Sequence, residues 1–431
     1  MVFFKLKKVA LLKKVFKNIA KGENTQKKIL TQQLLKRFLF HILILSLLGL
    51  LFIPISKIDG LNPLTHSFKD LTFSDIYFSK IRKGLKSDTS FSNIYILNIG
   101  SKDKITTRKE IAKFLEKVDN KKYKPKVIGI DIMFESYSGD TAVDNQLAIN
   151  LKSENIVSVN KIEKIDEINQ FIVSKSLNKF KTEKFGFSNQ WIEKDRPLTE
   201  RYFKPIFKID ESLTLEHFSL AISKIYNENA YNEFIKKDLD QPFLINYKGN
   251  YSVSNCFDIN DTSQYFKLKD KIVLIGLYEN NQNHQPVYNE DLHYTPTNEK
   301  YFGRSKPDKY GIEILANIIS NIVNNDFIKY SKPINQILQI VLSLIIYFLL
   351  LKFYKTNKLK FSIMKLILQL FIVAFLILLS LFQIYWFNLY IDYTIVTIAA
   401  FLSAELVGVV DGLIEKYFLN MKLIQSKTED K

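Results

Sequence analysis

KVIGIDIMF, residues 126 to 134, decides the fold. After Lys126 the run is apolar except for Gly129 and Asp131. A strand with one wet face alternates polar and apolar residues. An unbroken apolar run marks a strand covered on both faces, as in a parallel sheet between helical layers.

The neighbouring stretches extend that pattern. NIYILNIG (93–100), NIVSVNKI (155–162), PFLINYKG (242–249) and KIVLIGLY (271–278) have the length and β-branched content of strands. TRKEIAKFLEKV (107–118) and DNQLAINLKS (144–153) have helical spacing, and a further helix is expected near LTLEHFSLAISKIYNEN (213–229). In YGIEILANIIS (310–320) and the residues after it, Ile312, Leu315, Ala316, Ile319, Ile322 and Val323 share one face of a helix ending near 325. Strands alternating with helices predict an α/β unit with a mostly parallel sheet and helices on both faces. Cys256 is the only cysteine, so no internal disulfide staples it.

Four apolar runs flank this unit: 38–55, 337–351, 366–387 and 391–410. Each reaches the roughly 20 residues a membrane span needs, the second once Pro333 to Gln336 are included. Charge orients them. The net charge is +17, and residues 1–37 together with 352–365 supply +15 of it. Basic stretches that flank apolar runs belong on the cytoplasmic side. Nucleic acid, the other common partner of a basic chain, is not expected.

The predicted layout is a basic cytoplasmic segment (1–37), a first span (38–55), an extracytoplasmic domain (56–333), three further spans (334–351, 366–387 and 391–410) and a cytoplasmic tail (411–431). Both termini then lie inside the cell membrane. Trp386, Tyr385 and Tyr390 fall at the outer boundary, where aromatic belts sit. No small-residue cleavage site follows the first run, so an uncleaved anchor is expected instead of a signal peptide.

Candidate site residues gather beyond strand ends, where open α/β sheets bind ligands. Asp131 lies near the end of the apolar strand, and a buried carboxylate needs partners. Arg108, opening the preceding helix, is one candidate, in a structural pair or in a ligand site. Asp140 in an SGD turn and Asp144 as a helix cap have plain local roles. Asp291, His293 and Thr295 cluster on the loop after KIVLIGLY. The spacing of His284, Glu290, Asp291 and His293 matches no dedicated zinc pattern, so no metal and no cofactor is expected. No phosphate loop, nucleophile elbow or Cys/His nucleophile arrangement is present, which argues against an enzyme. In the fourth run Asp392 sits at the outer end, open to the interface. Glu405 lies deeper, where a carboxylate either packs against another span, through Gln339, Gln369 or Gln383, or acts in coupling.

In order along the chain, DLTFSDIYF (70–78), NIYILNIG, Arg108, VIGIDIMFES, Asp144 in VDNQLA, KDKIVLIG, DLHYTP and PDKYGIEILANIISNIV resemble the type-2 CHASE domain. That is an extracellular sensory module of bacterial receptors, and the likeness covers residues 70 to 325. One span, the sensor and three clustered spans are also similar in layout. Three positions depart from the family pattern: KITTRKE lacks the Trp-Pro pair before the arginine, Asn98 replaces an acid, and Leu315 replaces a histidine. Members usually continue into a cytosolic cyclase, kinase or phosphodiesterase, whereas this sequence ends at Lys431.

The resemblance implies a sensor that acts through a separate cytosolic or membrane signalling partner. Homodimerisation is compatible with that. Ligand contacts are expected from Arg108, Asp131, Asp144, Asp291, His293 and Thr295. Transmission is expected through the helix of Gly311, Ile312, Leu315 and Ile319, and intramembrane polar roles fall to Glu405 and Asp392. The competing classes are a structural envelope scaffold and, on Glu405 alone, a transporter.

Overall fold

Ile272–Gly276 is the most apolar strand of the sheet and lies inside it, although it comes last of the five parallel strands at its core. The computed structural model describes residues 72–82, 93–101, 104–105, 107–165, 170–189, 199–210, 213–248, 255–278, 291–298 and 307–429. The expected first span and the basic N-terminal segment lie outside the described residues, as do His284 and Glu290. The chain divides into two compact units, Ser67–Leu338 with Ala374–Thr394, and Gln339–Val373 with Ile395–Lys431 and Met1–His66.

The first unit opens with a short helix α1 (Phe73–Ile76), continued by one π turn, Tyr77–Ile81. Then come β1 (Ile94–Asn98), α2 (Arg108–Val118), β2 (Val127–Ile130), α3 (Thr141–Asn150), β3 (Ile156–Ile165), β4 (Gln170–Ser174) and β5 (Lys184–Phe187). After these follow β6 (Tyr202–Phe203), β7 (Ile206–Lys208), β8 (Thr214–Glu216), α4 (Phe218–Tyr226), α5 (Glu228–Ile235), β9 (Phe243–Leu244), β10 (Cys256–Asp258) and β11 (Ile272–Gly276). A small hairpin, β12 (Leu292–His293) and β13 (Lys309–Tyr310), leads into α6 (Gly311–Asn324).

The main sheet has the order β10-β1-β11-β2-β3-β4, with β5 also paired to β3. Every pairing is parallel except β3 with β4. Ile128, Ile130, Val273 and Ile275 pack under α2 and α3. Val127, Ile272 and Leu274 pack under α4 and α6. The strands are thus buried on both faces, which is why their sequences do not alternate.

Local chemistry fixes the helix starts. Thr107 and Glu110 form a capping box for α2. Asp140 caps α3, accepting from the amides of Ala142 and Val143 at 3.0 and 3.2 Å. His217 caps α4, its Nδ1 accepting from the Ser219 amide at 3.2 Å.

Three elements differ from expectation. The 213–229 region opens with strand β8 and becomes helical only at Phe218, because His217 supplies the cap. PFLINYKG does not join the sheet. Only Phe243–Leu244 is a strand, antiparallel to β6. Its continuation is held by side chains of α6: Asn321 Oδ1 accepts from the Asn246 amide at 2.9 Å and Asn317 Oδ1 from the Lys248 amide at 3.1 Å. Finally, α6 is buried all round. Ile312, Leu315 and Ile319 face the sheet, while Ile314, Ile318 and Ile322 face a second aromatic core with Phe78, Tyr247 and Phe327.

The C-terminal helices are α7 (Lys332–Thr356), α8 (Lys358–Phe387) and α9 (Thr394–Glu429). Among the described residues, three helical stretches are long and apolar enough to cross a membrane: Pro333–Thr356, Lys358–Phe387 and Thr394–Leu413. The spans expected at 334–351 and 366–387 fall inside the first two, and the one expected at 391–410 starts three residues before the third. The residues expected as a tail from 411 continue α9 without a break to Glu429.

In the second unit Tyr347, Leu350, Phe361, Ala404 and Val407 form the core. A Cβ on Gly408 would lie 3.2 Å from the Tyr354 hydroxyl, so glycine allows that close approach.

Candidate functional site

Asp131 is the first residue past β2. Its amide still donates to the Ile275 carbonyl of β11 at 2.9 Å, so the ladder carries its side chain to the C-terminal edge of the sheet. Beside it, Gly276 ends β11. A Cβ there would sit 2.6 Å from Ile312 Cδ1 and 3.3 Å from Asp131 Cβ. The missing side chain lets the start of α6 close onto the strand end next to Asp131.

The hairpin brings the other acid and the imidazole to the same place. The Gly311 amide donates to the Asp291 carbonyl at 3.1 Å. A Cβ on Gly311 would lie 2.8 Å from Asp291 Oδ1 and 3.5 Å from His293 Nε2. The Asp291 carboxylate therefore borders the first turn of α6, where a helix favours negative charge. His293 spans two acids, with Nδ1 3.5 Å from Glu200 Oε1 and Nε2 3.9 Å from Asp291 Oδ1. Glu200 is buried.

The electrostatics follow from this crowding. Burial raises the Asp131 carboxyl and the Asp291 charge raises it further; His293 offsets part, leaving it at about 7. Burial alone would lower His293, but bonding to Asp291 and Glu200 outweighs it and raises the imidazole to about 9. The cluster of Asp131, Asp291, His293 and Glu200 is thus a proton-holding, net acidic site at the strand ends. It suits a ligand that donates hydrogen bonds or carries positive charge.

The remaining predicted residues do not join it. Arg108 pairs with Asp144 at 3.1 Å and not with Asp131, and its guanidinium lies 5.1 Å from the Phe180 ring centre. Asp144 is not the cap of α3. It sits in the first turn, accepting the Ser138 amide at 3.0 Å. Burial opposes its ionisation, yet Ser138 and Arg108 together hold it below the ordinary carboxylate range.

Thr295 belongs to a clasp. Its amide and hydroxyl donate to Asp308 at 2.7 and 2.6 Å, and the Thr297 hydroxyl adds a third bond at 2.9 Å. This ties the residues following β12 to those before β13.

Asp392 is half-buried and hydrogen-bonded where α9 begins. Its amide donates to Asn335 Oδ1 at 2.7 Å, and its Oδ1 accepts from the Thr394 amide at 2.9 Å, starting α9. Glu405 pairs with Lys365 at 2.6 Å, with both side chains exposed. The expected glutamine partners are engaged elsewhere: Gln369 donates to the Phe401 carbonyl, and Gln383 accepts from Tyr393.

Besides Glu200 and Asp308, two buried cations were not anticipated. Arg201 binds Asp75 of α1 within the aromatic core, and Lys248 pairs with Asp326. Both cations lie in ordinary-looking polar stretches, and no periodicity marks them. The only hint was Asp75 inside DLTFSDIYF, an acid amid aromatics. Among the described residues no group of three or more His, Cys, Asp or Glu is arranged to hold a metal ion.

No curated protein and no solved structure matches this sequence. The model of the CHASE2 domain matches residues 42–352, which takes in the whole sheet, the acidic cluster and α6, and extends past both ends of the stretch recognised from its motifs. The match covers well over half of the sequence: the chain belongs to the CHASE2 domain family of extracellular sensory domains, joined here to apolar helices long enough to cross a membrane.

Proposed function

We propose that this protein is a membrane sensor. Residues 56–333 bind an extracytoplasmic ligand, and the membrane helices pass the bound state to a separate signalling partner inside the cell. Both termini are cytoplasmic in this reading, the domain binds without catalysing a reaction, and homodimerisation in the membrane is compatible with it.

The observation that carries the proposal is the placement of α6. Its first residue, Gly311, touches Asp291 and lies near His293. Its other end turns at Asn325, in left-handed conformation with φ 51°, and leads within a few residues to the outer ends of the apolar helices. There the Lys329 amide donates to the Asn388 carbonyl at 2.7 Å, the Tyr390 amide donates back to Lys329 at 3.0 Å, and Tyr330 stacks on Tyr390. One rigid helix thus joins the acidic cluster to the connection between α8 and α9. A ligand shifts it only by binding two positions of the helix with different affinity.

The test is a locked helix. Cysteines at Gly276 and Ile312, in a Cys256→Ser background, tie α6 to β11 on oxidation. Partners are first captured by cross-linking to a C-terminally tagged chain, and the activity of a captured signalling enzyme is then followed. Loss of the response on oxidation and its return on reduction support transmission through α6. An unchanged response overturns it.

The scaffold reading keeps one specific support. Arg108 with Asp144, and Thr295 with Asp308, satisfy each other and leave those four side chains in structural roles.

A further inference from the structure

Five lysines crowd where α7 gives way to α8: Lys352, Lys355, Lys358, Lys360 and Lys365. No Asp or Glu stands between Asp326 and Asp392, so neither helix carries an acid to balance them. Two of the five find acids on α9. Lys355 lies 2.9 Å from Asp411, and Lys365 lies 2.6 Å from Glu405. Lys352, Lys358 and Lys360 are exposed and have no acidic partner among the described residues. The corner that carries them is tight. Asn357 alone separates the helices, its amide donating to the Phe353 carbonyl at 3.2 Å and its Oδ1 accepting from the Lys360 amide at 2.9 Å.

Helix length places these lysines. α8 has 30 residues, about 45 Å at roughly 1.5 Å each. The hydrocarbon core of a bilayer is about 30 Å thick, and the apolar run 366–387 fills it. Residues 358–365 then extend into the headgroup layer, with the end of α7 beside them. Leu359 and Ile363, 74% and 71% exposed, put apolar side chains among the lysines, a mixture that suits a membrane interface. Lys358 is held over the Tyr354 ring, 5.3 Å from its centre, which orients the cation without neutralising it. Three unbalanced charges in that layer attract anions, and lipid headgroups supply them at that depth.

We propose that the α7–α8 corner is a docking surface for anionic phospholipid, with headgroup phosphates held by Lys352, Lys358 and Lys360 and Leu359 sunk beside the acyl chains. The inference rests on the reading of α7 and α8 as membrane helices. It goes beyond that reading, because cations that only orient a span have no reason to select one headgroup over another.

The experiment immobilises the tagged full chain in neutral detergent and equilibrates it with an equal mixture of phosphatidylglycerol and phosphatidylcholine of the same acyl chains. The lipids retained after washing are quantified by mass spectrometry. Phosphatidylglycerol is expected to be retained about tenfold over phosphatidylcholine, each lysine contributing up to roughly fivefold. Lys352→Gln with Lys358→Gln and Lys360→Gln should bring the two lipids near parity, and arginine at the same three positions should keep the preference. Lys109→Gln with Lys113→Gln and Lys117→Gln, an equal change of charge at exposed positions of α2, should leave it unchanged. In the unaltered chain, rising ionic strength should narrow the preference, a readout that needs no variant to fold. Excess sodium phosphate at constant ionic strength should not displace the lipid. Equal retention of both lipids, a preference indifferent to salt or to the three corner glutamines, an equal loss in the α2 variant, or displacement by free phosphate overturns the inference. Retention of neither lipid overturns the membrane reading with it.

Discussion

Arg201 grips Asp75 through two parallel hydrogen bonds, Nε to Oδ1 at 2.8 Å and Nη2 to Oδ2 at 2.6 Å, with both side chains buried. Asp75 belongs to the first described helix, and Arg201 follows the residue that holds His293. Removing one partner strands a buried charge. Arg201→Ala is expected to cost about 3–5 kcal/mol, whereas Asp75→Leu with Arg201→Met should restore most of the loss. Thermal denaturation of the purified chain measures both. Equal destabilisation by the single and double variants would show that the pair is not the cause.

Stability should fall as the medium becomes alkaline. His293 is raised to about 9 from its ordinary 6.5, so its contribution is full below 6.5 and is lost as pH climbs through 9. Asp131 is raised to about 7 from 3.8, so its ionisation penalises the folded state increasingly from 3.8 to 7 and by a constant amount above that. Both effects run in one direction. Asp131→Asn is expected to stabilise the protein by roughly 1–2 kcal/mol at about pH 8, after allowing for solvent at a partly open site, and to change little at about pH 4. Melting curves across that range decide it; a pH-independent difference would refute the assignment.

Gly276→Val places new atoms where Ile312 and Asp131 already are. Overpacking of this kind costs about 1–3 kcal/mol. The change should also push the start of α6 off the sheet, so amide hydrogen exchange should quicken in the first turns of α6 more than in α2. Uniform quickening would point to general loosening instead.

The two ion pairs of the apolar helices should behave differently. Lys365–Glu405 is exposed on both sides, while in Lys355–Asp411 the Asp411 side chain is only 3% exposed. Glu405→Gln leaves Lys365 able to reach the nearby helix end along its own stem, and is expected to cost about 1–2 kcal/mol. Lys355→Met leaves the buried Asp411 carboxylate without its cation and should cost about 3 kcal/mol. Unfolding of the detergent-solubilised chain compares them, and a larger effect at Glu405 would overturn that order.

Much of the fold was legible because burial on both faces writes itself into strands such as VIGI and IVLIG. Helix starts were legible where caps are local, as at Thr107. PFLINYKG misled because its apolar residues serve the aromatic core while asparagines of α6, about 70 residues away, take its amides. At the site, Asp131, Asp291 and His293 could be found by their position after strand ends. The pairing of Arg108 could not. Asp131 and Asp144 are both acids near one strand end, and only the packing of α3 on α2 selects between them. Glu200 and Arg201 escaped notice because their roles arise entirely from distant contacts.

The asparagine ladder of α6 has one more consequence. Asn317 and Asn321 are one helical turn apart, roughly 6 Å, close to the spacing of alternate residues in an extended chain. They therefore meet the amides of Lys248 and Asn246 together. Glu313 and Asn325 continue the same row of four-residue spacing. A slide of one full turn would need Glu313 to leave Lys309 and the Tyr310 amide, or Asn325 to leave Lys237. A shorter slide leaves two buried donors unmatched, at about 1–3 kcal/mol each. These two buried bonds therefore fix the axial position of α6 against the 246–248 segment.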